Sequence, residues 1–460
     1  MKSLSELPLD TNNADFSTAI DWVKSGYNVF ITGEAGTGKT TFLHVIKREL
    51  KGAGKSFAVL SPTGIAALNA GGDTIFSFFK LPFQPLLMSD QIFQVTVEKD
   101  VAEGKSSSKV SIYSEFRYTN EKKDMLRALE TIIIDEVSMV RSDVLQAIDR
   151  LLRVFRGKWH LPFGGVQMVL IGDAYQLPPV VREEDVDLLV RHYKSRFFFG
   201  SEAYVQAHFK GLLFTKIYRQ QDEDFIRLLG RIRHGDLTVG DVGLLQSRRW
   251  VGENEAGFVN IVTHRAQART INQRHLNKLS TDSVYFNAEI KGEFPEQFYP
   301  TSRQVELKEG AQVMVIRNSK SLGVLNGMMG VVQRIEDDVI VVRLDVDGTE
   351  RYVDIHPVTW ERMKYKFNPK TKSVETEVIG TFKQIPIVLA WAITVHKSQG
   401  LTFDKVIADL NSSFEFGQEY VALSRCRSLS NLYLRSGIKA HRLGPHPQVR
   451  YFYSRLFGAA

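Results

Sequence analysis

Gly33, Gly36, Gly38, Lys39 and Thr40 stand close together in FITGEAGTGKTTF, and they fill the spacing G-x-x-x-x-G-K-[ST]. Glycines at these positions let backbone N–H groups curl around phosphate oxygens, and the N-terminus of a following helix adds positive potential. Lys39 is placed to reach the terminal phosphates, and the Thr40 hydroxyl to ligate Mg²⁺. Thr37 and Thr41 complete the nucleotide-binding set. The competing reading, a glycine-rich turn carrying a surface lysine, is displaced by the flanks: an apolar strand before and an amphipathic helix after.

Two further groups could act on a bound triphosphate. Asp135-Glu136 follows the apolar run Thr131–Ile134. A carboxylate at a strand tip beside a phosphate loop can hold Mg²⁺ through water, and its neighbour can act as base towards an attacking water. We assign Asp135 to the metal and Glu136 to the water. Gln176, in GDAYQLPPV, carries an amide that both donates and accepts. It can therefore touch the γ-phosphate and the water together. Taken alone, each of these is a solvated pair or a proline-terminated turn.

The rest of the chain must position these groups. Short β-branched runs alternate with helical stretches through the N-terminal half: NVFITG, GKTTFLHVIKREL, SFAVLSP, TGIAALNA, TIIIDE and VQMVLIGD. Apolar runs of this kind suit parallel strands covered on both faces, with ligands at the carboxyl ends. The pattern breaks between Leu81 and Leu126, where we expect an insertion with EGKSSSKVS at its tip. A second α/β unit is predicted from near Arg191, with FVNIVTH, RAQARTINQRHLNKL, KVIADL and NLYLRSG. Short alternating strands from Val305 to Val358 interrupt it, with Asp347-Gly348 as a hairpin turn.

The 460 residues exceed one ordinary core. Apolar residues make up 43% and charged residues 24%, as in an ordinary globular chain, and the net charge of +7 favours a polyanionic partner. Cys426 is the only cysteine, so no internal disulfide or cysteine metal cluster is possible. His44, His160 and His192 show no metal-ligand spacing. The N-terminus MKSLSELPLDTNN has no apolar signal core, and the run IPIVLAWAITV is too short to span a bilayer. The expectation is a protein without membrane contact, cytoplasmic in a bacterial or phage setting and nuclear or mitochondrial in a eukaryote.

GEAGTGKT, PTGIAALNAGG, IDEVSM, GDAYQLPPV, KIYRQ, WAITVHKSQGLTFD and EYVALSRCR occur in this order. The series resembles the motifs of superfamily 1 helicases, and within them the petite integration frequency (PIF) helicases, relatives of RecD. The resemblance covers about Asn28 to Arg435. It implies an α/β fold of two RecA-like P-loop NTPase domains with parallel sheets, plus an inserted small β-barrel domain and a short inserted wedge segment. The corresponding boundaries are 1–180 for the first domain, interrupted by the wedge at 81–126. The second domain covers 184–281 and 376–460, with the barrel at 282–375. It implies ATP and Mg²⁺ as cofactors, and Arg219 and Arg425 reaching the γ-phosphate from the second domain. Gly400 would join the nucleotide site to the track. Relatives usually carry an adenine-reading glutamine upstream of the first strand; here Asn12 or Asn13 would have to serve.

A motor on one strand needs backbone contacts that ignore base sequence. By resemblance, Thr63, Thr263, His396, Lys397 and Ser398 face DNA. Pro62, Gly64, His264 and Asn326 belong to the same track set. Ser and Thr before helices also cap them, and the two roles can coexist. Phe76, Phe78 and Phe79 read as core before base-stacking groups. The activity so implied is ATP-dependent 5′→3′ translocation on single-stranded DNA with unwinding of duplex or structured DNA. Partners would be single-stranded DNA and tailed duplex or G-quadruplex DNA, for a chain that is monomeric in solution. Two alternatives stand beside it: a single-strand binding protein with a vestigial ATPase, and a small-molecule phosphotransferase on the same phosphate loop.

Overall fold

The computed structural model describes residues 13–94, 112–220, 222–337, 339–346, 349–438 and 443–458. Six parallel strands form the first sheet: β1 (Val29–Gly33), β2 (Phe57–Ser61), β3 (Asp73–Thr74), β4 (Thr131–Ile134), β5 (Gln167–Ile171) and β6 (Lys210–Phe214), in the order β3-β2-β4-β5-β1-β6. β1 and β4 are buried at every position, so their near-continuous apolar runs are what a two-sided sheet requires. One face packs Phe30, Ile132, Ile134 and Leu170; the other packs Ile31, Ile133, Val169 and Phe42.

The second sheet begins with β7 (Val259–Val262). The chain then leaves it to build a small β domain from β8 (Val284–Asn287), β9 (Glu289–Gly292), β10 (Gln304–Leu307), β11 (Gln312–Val315), β12 (Met329–Glu336), β13 (Val339–Val346), β14 (Thr349–Ile355), β15 (Val358–Asn368), β16 (Ser373–Gln384) and β17 (Ile387–Leu389). Five of these form the antiparallel sheet β14-β13-β12-β11-β17 over a core of Val313, Val342 and Ile387. β18 (Ala392–Thr394), β19 (Val406–Asp409) and β20 (Leu432–Leu434) return to complete the parallel order β18-β7-β19-β20.

Several expected boundaries shift. The first sheet does not end near residue 180: β6 pairs with β1 along its whole length, from Val29↔Lys210 to Gly33↔Phe214. The helix Pro447–Phe457 also returns to the first domain, burying Val449 and Tyr453 in its core. Neither crossing has a local sequence signal, because partner choice in a sheet is a tertiary matter. Residue 375 falls inside β16, so the β domain runs on to β17. The run IPIVLAWAITV is divided between β17 and β18, in different sheets.

The described parts of the 81–126 insertion pack inward: Leu86, Phe93, Ile112, Phe116 and Tyr118 all join the first core. The EGKSSSKVS tip, Asn12 and the Asp347-Gly348 turn lie outside the described residues. Phe78 and Phe79 are buried, whereas Phe76 stacks on the exposed Phe83 with ring centroids 4.8 Å apart. Among the described residues no helix is long and apolar enough to cross a membrane.

Candidate active site and nucleic-acid track

The phosphate loop leaves β1 at Gly33 and enters the helix Lys39–Gly52. Gly36 and Gly38 take φ of +90° and +86°, which glycine adopts without steric cost. Gly38 caps the helix with no side-chain acceptor, so the first N–H groups are left for an anion. Gly36 has a second reason to be glycine. Its carbonyl accepts from Tyr218 N at 2.9 Å, and a Cβ there would run into the Arg219 side chain. The KIYRQ segment thus lies directly on the loop.

Lys39 Nζ donates to the carbonyls of Gly33 (2.7 Å) and Glu34 (2.8 Å), and burial pushes its pKa down to about 8. Asp135 and Glu136 follow β4, and burial pushes both carboxyls up. Glu136 sits at φ +53°, a left-handed conformation that costs an ordinary side chain roughly 1–2 kcal/mol. Thr40 and Asp135 line the same cleft and offer hard oxygen donors suited to Mg²⁺. Among the described residues no three His, Cys, Asp or Glu side chains gather into a metal cluster. A bound Mg²⁺ would therefore take most of its shell from phosphate and water, as this ion commonly does.

Gln176 is held by the turn that carries it. Its N–H donates to Asp173 O at 2.9 Å, and its amide reaches Asp173 Oδ2 at 3.4 Å. Asp173 in turn forms a buried pair with Arg233, Nη2 to Oδ1 at 2.9 Å. Burial opposes the charge on Asp173, but Arg233 first and Lys39 next hold its pKa below the usual carboxylate value. Tyr453, from the returning C-terminal helix, sits behind this turn with its hydroxyl 2.5 Å from Thr32 Oγ1.

The two candidate arginines converge on one loop. Arg219 Nη2 donates to Gly400 O at 3.1 Å, while its Nη1 is buried without a partner. Arg425 Nη1 reaches the carbonyls of Ser398 and Leu401, both at 3.4 Å, and its Nη2 donates to Ser424 Oγ at 2.7 Å. Burial lowers both pKa values, to about 10 for Arg219 and about 9 for Arg425. Gln399, inside the same loop, donates to Glu136 Oε2 at 2.8 Å.

The track candidates divide. One cleft of about 2870 Å³ is lined both by the phosphate-loop residues Gly36 to Thr41 and by Thr63, Thr263, His264, Asn326, His396 and Lys397. Thr63 also caps the helix Gly64–Ala70, accepting from Ala66 N at 3.3 Å. Ser398 is placed differently from expectation. Its side chain is fully buried and its hydroxyl donates to Val395 O at 2.8 Å, so it does not face the cleft. Neither Pro62 nor Gly64 is among the lining residues. Gly64 is covered by Gln297 of the β domain, whose carbonyl is where a Cβ would stand. Around it Ala67, Phe294, Phe298, Trp360 and Phe382 form a buried apolar cluster.

Asn13 is committed to capping the helix Ala14–Lys24 through Asp15 N (3.0 Å), and its amide donates to Tyr218 OH at 3.0 Å. Sequence reasoning missed Arg233, Gln399, Tyr420 and Tyr453. Gln399 lay in plain view within HKSQG. Tyr420, which accepts from Ala35 N at 3.2 Å, lay within EYVALSRCR. Arg233 and Tyr453 had only helical spacing, which does not distinguish a buried pair from a surface one.

A profile of PIF1-like helicases matches residues 12–242. The ATP-dependent DNA helicase Pif1 of Bdellovibrio bacteriovorus is 30% identical over 96% of this chain and 91% of its own length. That of Psychrobacter is 30% identical over 91% of this chain and 67% of its own length. The crystal structure of Bacteroides sp Pif1 in complex with ADP-AlF4 superposes with a TM-score of 0.84 at 35% identity, covering 97% of both chains. Against Bacteroides Pif1 bound to ssDNA the TM-score is 0.61, at 37% identity and 96% coverage of both. On these matches, together with the motif geometry above, the chain belongs to the PIF1-like helicase family.

Proposed function

We propose that this chain is an ATP-dependent DNA helicase that steps 5′→3′ along single-stranded DNA and unwinds tailed duplex or structured DNA. One observation carries the reading. The loop His396–Leu401 presents His396 and Lys397 to the track wall, Gln399 to Glu136, and backbone carbonyls to Arg219 and Arg425. A shift at either end of the cleft must therefore be felt at the other.

In hydrolysis Glu136 accepts a proton from the attacking water as its oxygen bonds to the γ-phosphorus. The bond to the bridging oxygen breaks and its electron pair leaves on ADP. Gln176 orients the water, and Arg219 and Arg425 meet the charge that develops, which is where an arginine contributes most. Mg²⁺, held by Thr40 and Asp135, would neutralise phosphate charge and align the leaving group. Net motion follows if the two domains differ in their grip on the strand between open and closed clefts. The higher TM-score to Bacteroides Pif1 with ADP-AlF4 than with ssDNA supports a domain arrangement that changes as the strand enters.

G-quadruplex DNA is a further substrate in this reading, and the chain acts as a monomer. Its place is wherever DNA lies: the cytoplasm of a bacterial or phage-infected cell, or the nucleus or mitochondrion. The test is ATP hydrolysis with and without single-stranded DNA, together with unwinding of duplexes bearing only a 5′ or only a 3′ tail. DNA-stimulated turnover with unwinding from the 5′ tail alone is expected. Turnover indifferent to DNA would return the chain to the phosphotransferase class, and DNA binding without turnover to the vestigial one.

A further inference from the structure

We propose that Gln399 is a positioning residue that restrains Glu136, and that a DNA strand seated on His396 and Lys397 releases it. The inference rests on the DNA-motor reading and names the side chain through which DNA speeds hydrolysis. The Gln399 amide crosses from the second domain to the first, donating to Glu136 Oε2 at 2.8 Å and approaching Gln176 Oε1 at 3.5 Å. It therefore engages both side chains that handle the attacking water. A general base must bring its carboxylate within about 2.6–3.2 Å of the proton it takes. Here Oε2 is turned to a donor from the second domain instead.

The path from the track is one residue long. His396 and Lys397 belong to the single helical turn Val395–Ser398, and Gln399 ends it, at φ −58° and ψ 134°. Gly400 follows in the left-handed region at φ +79°, with open space where a Cβ would stand. A displacement of the turn towards a phosphate backbone carries Gln399 with it and is absorbed at Gly400. The carbonyls that flank Gln399 are held by Arg219 and Arg425, which fixes the amide on Glu136 until the turn moves.

The experiment measures steady-state ATP hydrolysis by the full chain, without DNA and with saturating oligo-dT, for wild type, Gln399→Met and Gln399→Ala. Methionine keeps the length of the side chain and cannot donate. The DNA-free kcat is expected to rise about fivefold or more, with KM for ATP and the DNA-stimulated kcat within about twofold of wild type, so that the stimulation ratio contracts. Oligo-dT affinity by anisotropy checks that each variant is folded. A fall in DNA-free kcat in a variant that still binds DNA overturns the inference, because Gln399 then positions the water. An unchanged DNA-free kcat overturns it as well. A wild type indifferent to DNA overturns the motor reading and this inference together, whereas a stimulated wild type with unaltered variants overturns this inference alone.

Discussion

The phosphate end of the cleft and the end proposed for DNA are walled by different kinds of chain. At the phosphate end, Gly33 to Thr41 are consecutive and Asp135-Glu136 are adjacent, each at the tip of a fully buried strand. At the proposed DNA end, Thr63, Thr263 and His396 come from three distant stretches, and the far wall belongs to an inserted domain that covers Gly64. The first end is set by the core beneath it. The second is assembled from parts that belong to separate domains. The difference teaches that the phosphate cradle is fixed locally here, while the groups that reach it from the second domain and the grip on the strand depend on how domains are arranged.

Substitutions can break this comparison or sharpen it. The largest effect is expected from Lys39→Ala. Turnover should fall by about 10³-fold or more, since a phosphate clamp is lost, while single-stranded DNA affinity by anisotropy stays within about threefold. A parallel loss of DNA binding would show that the two ends are not separable. Arg219→Ala comes next: kcat is expected to drop about 10³-fold with ATP binding retained. Retained hydrolysis would remove Arg219 from the γ-phosphate.

At the other end, Lys397→Ala should weaken oligo-dT binding about tenfold and reduce the salt slope by about 0.7, the share of one phosphate contact on a single strand. An unaltered slope would take Lys397 off the track. The smallest effect concerns the β15–β16 arm. Tyr365 OH accepts from Val59 N at 2.8 Å and donates to Val59 O at 3.3 Å, tying the arm to the middle of β2. Removing a hydroxyl of this kind costs about 1 kcal/mol, so Tyr365→Phe should loosen the arm and raise DNA affinity about fivefold. Weaker DNA binding by this variant would mean that the arm closes on the strand instead of covering its path.

What was legible follows the same division. The strands β1, β4, β5 and β7 and the phosphate loop could be read because apolar runs and glycine spacing are local signals. Lys39, Glu136 and Gln176 could be placed because each sits in the segment that follows the end of a buried strand. The commitment of the Ser398 hydroxyl to Val395 could not, because a serine beside a lysine and a histidine looks alike whether it faces in or out. The covering of Gly64 by Gln297 involves residues more than two hundred positions apart, and no pattern near either announces it.

The sequence by itself determined the family, the phosphate chemistry and the two parallel sheets, since these rest on spacing within a few residues and on hydrophobic runs. Only the tertiary structure decided that β6 and the C-terminal helix belong to the first domain, and that Arg233 from the second closes on Asp173. It also decided that the amide of Gln399 rests on Glu136. Each of these is a meeting of distant chain segments, selected by burial and by the need to satisfy polar groups removed from water, and such needs are met by whichever partner the fold brings near.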